Sequence, residues 1–179
     1  MGLSHKKQKS DVLVVFQRWL ALAENQSGHR LKCLRTDNGG EYMSRAFEQL
    51  CDERGIKRQL TAPYTPPQND MAERMNRTIQ ERVRSMLSHV GLPEHFWTKA
   101  VTTAVHIINR LPCSGIDFQV VEEIWIGKPP SYAHLRVFGC EAFCHVPKDK
   151  HNKLDPKSVK CIFLGYGDAG EMGYRLWDP

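Results

Sequence analysis

The 179-residue sequence has no apolar run long enough to span a bilayer, no Cys-x-x-Cys pair, no internal repeat and no low-complexity tract. The first absence argues against a membrane helix, and the second leaves six cysteines without a zinc-ribbon or disulfide pattern. The N-terminal residues do not read as a secretory leader, and Lys6 stands where a myristoylation signal needs Ser or Thr. The expected setting is a reducing cell interior, with no membrane partner. What is present is an ordinary globular composition, 41% hydrophobic and 25% charged. Lys and Arg outnumber Asp and Glu by 25 to 20, a slight bias toward polyanionic partners that solubility alone would also explain.

Local pattern predicts an α/β chain. Val12, Leu13, Phe16, Trp19, Leu20 and Ala23 fall at helical spacing, with Ser10 placed to cap them. A short β-prone run in HRLKCLRTDNGG then ends in Asp37 and a turn. Ala46, Phe47, Leu50 and Cys51 mark one face of a helix from Ser44 to about Arg54, which Gly55 can end in a left-handed cap. IKRQLTAP reads as a second strand, and Pro63, Pro66 and Pro67 enforce the loop after it. A long helix starts near Asp70, with Ala72, Met75, Ile79, Val83 and Met86 as its apolar stripe and Glu73, Asn76, Arg77, Gln80 and Arg84 on the opposite face. Pro93 opens a further, broadly apolar helix that runs to Pro112. Between residues 112 and 135 the periodicity fades, and three or four short strands beyond suggest a small barrel or meander.

Asp37, at a strand end, and Glu73, in the first turn of the long helix, are the carboxylates that stand off the apolar faces. Phosphodiester chemistry commonly uses such pairs to hold divalent ions. Taken alone, the two residues are better explained as a turn-capping Asp and a Glu favoured at a helix N-terminus. Cys140, Cys144 and His145 read better as core and edge positions than as a zinc site. Trp97, Trp125 and Trp177 read as core or domain-contact residues.

The longer motifs RTDNGGEY and LTAPYTPPQNDMAERMNR resemble the integrase core of copia-type long-terminal-repeat retrotransposons, a ribonuclease H-like fold with an Asp, Asp, Glu metal site. WTKAVTTAVHIINRLP, HLRVFGCEAFCHVPK, KLDPKSVKCIFLGY and GYRLWDP look like the downstream part of the same polyprotein, the last three like its small β-barrel. The resemblance implies a truncated ribonuclease H-like integrase core over residues 1–112, a connecting segment over 113–134 and a Src-homology-3-like barrel over 135–179. It implies that Asp37 and Glu73 are catalytic ligands of Mg²⁺ or Mn²⁺. It also implies that Asn69, Asn76, Arg77, Gln80 and Arg84 meet DNA, both element ends and target. Beside such a site, Lys57, Arg58, Arg74 and Arg82 are expected to contact phosphate as well.

Two departures accompany the match. The family's first catalytic aspartate precedes the Val12 helix and has no counterpart here, which implies two ligands of three and no activity in isolation. Asp70 stands where the family usually has Gly, adding negative charge near Glu73. The expected function is that of an integrase fragment, ancestrally carrying out 3′-processing and strand transfer. It would self-associate through uncovered sheet surface and work in the nucleus if that role is retained. A non-catalytic nucleic-acid-binding remnant and a protein-interaction module stay open as alternatives.

Overall fold

The computed structural model describes residues 12–61, 70–150, 152–167 and 173–179. Ser10, Asn69 and the proline loop lie outside them. The chain divides into two compact units at Arg77 and Thr78, within one helix, ahead of the change of texture in the sequence at 112–135.

The first unit is built on a β-α-β crossover. Helix α1 (Val12–Ser27) is amphipathic and buries Leu20, while Val12, Leu13, Phe16 and Trp19 pack beside it. Strand β1 (Cys33–Thr36) alternates exposed and half-buried residues, which turns Leu34 toward the same core. Helix α2 (Arg45–Arg54) begins at Ser44, whose hydroxyl accepts the Phe47 N–H, and ends at Gly55 with φ 66°. Strand β2 (Lys57–Leu60) pairs parallel to β1, with Cys33 opposite Lys57 and Thr36 opposite Leu60. Parallel neighbours require a crossover, and α2 supplies it. Leu20, Phe47, Cys51 and Ile56 form the core. Each large apolar side chain there contributes roughly 1.5–3 kcal/mol by leaving water.

The second unit begins inside helix α3 (Asp70–Val90). The helix buries Val83 and half-buries Ile79, Met86, Leu87 and Val90. The expected apolar stripe is covered only from Ile79 onward, since Ala72 and Met75 are exposed. After Pro93 a single 3₁₀ turn leads into helix α4 (Trp97–Ile108), whose Ala100, Thr103 and Ala104 are buried. A two-residue hairpin follows, β3 (Pro112–Cys113) with β4 (Gln119–Val120), and then short helix α5 (Val121–Ile126). Arg110 secures this stretch, because its guanidinium pairs with Glu122 at 2.7 Å and donates to the His106 carbonyl at 2.9 Å.

Strands β5 (Glu141–His145), β6 (Ser158–Tyr166) and β7 (Tyr174–Trp177) form an antiparallel sheet in that order. Its core is shared with the helices: Phe138 and Leu164 cluster with Val83, Phe96, Ala100 and Ala104, and Ile162 and Trp177 pack against them. Thr103 donates to the Leu164 carbonyl at 3.2 Å, and a Cβ on the neighbouring Gly165 would lie 2.6 Å from the Thr103 hydroxyl. That approach of helix to strand requires glycine. Trp177 is in this core as expected. Trp97 and Trp125 are not: they remain 52% and 47% exposed, because α4 turns its alanines inward and α5 contributes no buried side chain.

Candidate active site

β1 ends at Thr36 because the next residues turn away from the ladder. Asp37 follows at once, exposed, and its Oδ1 accepts the Gly39 N–H at 3.0 Å. This is the local turn bond that Asp makes two residues ahead. It leaves Oδ2 without a donor among the described residues. The turn is tied down further on. Gly39 O accepts the N–H groups of Tyr42 at 2.9 Å and Met43 at 3.2 Å, and the Tyr42 ring meets Phe47 edge-on at 5.4 Å.

Arg58 completes the anchoring. Its guanidinium donates to Tyr42 O at 2.6 Å and pairs with Glu48 at 3.5 Å, and its side chain is only 17% exposed. Arg58, expected to contact phosphate, thus has an anchoring role within the unit through both terminal nitrogens of its guanidinium.

Glu73 lies in the first turn of α3, exposed, where a carboxylate is favoured by the helix dipole. It belongs to the same compact unit as Asp37. Asp70 forms an ion pair with Arg74 one turn on, so its charge is balanced on the helix itself. Asn76, Arg77, Gln80 and Arg84 are all exposed along α3. Among the described residues no group of three or more His, Cys, Asp or Glu is arranged to hold a metal ion. Asn38 was not singled out by sequence reasoning, yet its side-chain amide donates to Thr61 O at 3.0 Å, across to the end of β2. Its partner is remote in sequence, and the Asn-Gly pair reads locally as turn chemistry.

A separate titratable cluster lies in the second unit. The His106 ring stacks on Tyr166, with centroids 3.8 Å apart and planes at 16°, and its Nε2 is 3.4 Å from Nε2 of His134. Burial, then the charges of Arg110 and His134, lower the His106 pKa to about 4. The ring is neutral at physiological pH.

Comparison with known proteins agrees with this architecture. Residues 140–179 match the family described as the retroviral polymerase SH3-like domain. Over 173 residues, 97% of its length, the chain is 56% identical to a retrovirus-related Pol polyprotein from transposon TNT 1-94 of Nicotiana tabacum, and it spans 13% of that polyprotein. Its fold is similar to that of a chain in the simian T-cell lymphotropic virus intasome in complex with PP2A regulatory subunit B56 gamma. The TM-score is 0.56 at 17% identity, covering 98% of this chain and 64% of that one. The HTLV-2 integrase catalytic core domain, solved in complex with magnesium, aligns with a TM-score of 0.49 at 21% identity, over 67% of this chain and 71% of that one. The similarity to the intasome chain is one of fold, a mixed arrangement of helices and sheets.

Proposed function

We propose, on the premise that the chain belongs to the retrovirus-related Pol polyproteins of copia-type transposons, that it is an integrase segment supplying two carboxylates and a polar helix face to DNA integration. The observation that carries this reading is the state of Asp37, held at a strand end by one oxygen while the other is free of protein donors among the described residues. Asp37 and Glu73 offer hard oxygen donors, a set that suits Mg²⁺ or Mn²⁺. When bound, such an ion supplies charge neutralisation at the scissile phosphodiester. Asp37 and Glu73 would hold the ion. Asn69, Asn76, Arg77, Gln80 and Arg84 position the DNA backbone, largely without reading its sequence.

In this reading residues 1–112 serve the core, 113–134 connect, and 135–179 form the Src-homology-3-like module, with the reaction taking place in the nucleus. Strand transfer by the 179-residue chain alone is not expected. The test is Mn²⁺ binding followed by electron paramagnetic resonance. The unmodified chain should bind, and Asp37→Asn and Glu73→Gln should each weaken binding at least roughly tenfold, the equivalent of one charged ligand interaction. Binding that survives both substitutions would overturn the assignment.

A further inference from the structure

Parallel pairing of β1 and β2 ends with the Thr61 N–H donating to Thr36 O at 3.0 Å. Beyond it β1 has turned away, so its backbone offers no further donor to Thr61 O. Thr61 is 9% exposed, and a buried carbonyl without a partner is costly. The Asn38 side chain supplies the missing donor at 3.0 Å. Only an amide nitrogen can face a carbonyl in this way, which settles the orientation of the Asn38 side chain. Asn38 thus extends the ladder by one bond that the backbone does not make.

Both ends of that bond matter for the proposed site. Asn38 adjoins Asp37, whose backbone is therefore held between the Thr36 ladder bond on one side and the Asn38 anchor on the other. Thr61 is the residue at which the chain leaves β2, before the segment that leads to α3 and Glu73. We infer that Asn38 is a positioning residue, which fixes the turn bearing Asp37 to the exit of β2 and so sets the direction in which the Asp37 carboxylate is presented. The inference rests on the carboxylate reading proposed above only for its consequence in metal binding. The anchoring itself is independent of that reading.

The test uses the 179-residue chain with Asn38→Ala, which removes the donor, and Asn38→Asp, which keeps the shape but places an acceptor against a carbonyl. Residue-resolved hydrogen exchange and Mn²⁺ affinity are measured together, with Asp37→Asn as the control. Both Asn38 variants should speed exchange at the Gly39 and Thr61 amides by roughly three- to tenfold, as expected for loss of one hydrogen bond, while the Cys51 amide in α2 keeps its protection. Asn38→Ala should weaken Mn²⁺ binding by a similar factor. Faster exchange at Gly39 in a chain whose Mn²⁺ binding ignores Asp37→Asn would uphold the anchoring and sink the carboxylate site. Unchanged exchange at Gly39 and Thr61 in both variants would overturn the inference. So would loss of protection throughout α2, which would make Asn38 a general stability residue.

Discussion

Single side chains in this protein divide between those that stay available and those the fold has already engaged. His106 is engaged: it is half-buried, stacked on Tyr166 and neutral, with a pKa of about 4 in place of 6.5. The charged groups facing it are Arg110, which is paired with Glu122, and His134. The unfolded chain takes up a proton at this ring below about pH 6.5, and the folded chain does so only near 4. Stability is therefore fully present above the upper value and falls as pH drops between the two. Because the ring is partly open to solvent, the loss should be roughly 1–2 kcal/mol, less than the whole shift implies. Denaturant unfolding at pH 7 and pH 4.5 measures it, and His106→Gln should flatten the difference.

At the scale of elements, α3 and β6 carry the informative contrasts. The α3 residues Arg77 and Arg84 are exposed, and among the described residues the ion pair on that helix joins Arg74 to Asp70. Replacing both with Glu should weaken binding to all DNA sequences alike. It should also reduce the slope of log affinity against log salt by roughly 0.9 for each phosphate that is no longer neutralised. Titrations of a fluorescent duplex at several salt concentrations would show this, and an unchanged slope would remove the face from DNA binding. On β6, Gly165→Ala would push a methyl group into the Thr103 hydroxyl while imposing φ 145° on a residue with a side chain. The expected cost is at least about 1–3 kcal/mol, seen as a lowered unfolding midpoint, with overpacking as the cause.

For the molecule as a whole, the decisive fact is where the cores close. The sheet β5–β6–β7 does not enclose a core of its own: Phe138, Ile162, Leu164 and Trp177 share theirs with Val83, Phe96, Ala100 and Ala104. A peptide of residues 135–179 should therefore lack cooperative unfolding, because the apolar face it buries here would be left in water. A peptide of residues 78–179 retains the helical half of that core and should unfold in a single transition. Circular dichroism melts of the two peptides test the contrast. A sharp melt of the shorter one would show that the sheet can close on itself.

Local chemistry in the sequence was enough to specify some of the elements, though not the β3–β4 hairpin or α5 in the stretch read as a connecting segment. Helical spacing located α1, α2 and α4, Ser44 and Gly55 marked the ends of α2, and Asp37 and Glu73 could be assigned to a strand end and a helix start, because these signals act over a few residues. The motif order also carried the likeness to the copia-type polyproteins. Tertiary structure alone decided which of these side chains remain available. Arg58 and Arg77 look alike in the sequence, but Arg58 closes on Tyr42 O, sixteen positions away, while Arg77 stays exposed. Asn38 reads as half of a turn until its amide is seen on Thr61, and His106 reads as one more apolar-helix residue until Tyr166 and His134 enclose it. Such pairings depend on packing between segments far apart in the chain, which leaves no periodicity in the sequence to read.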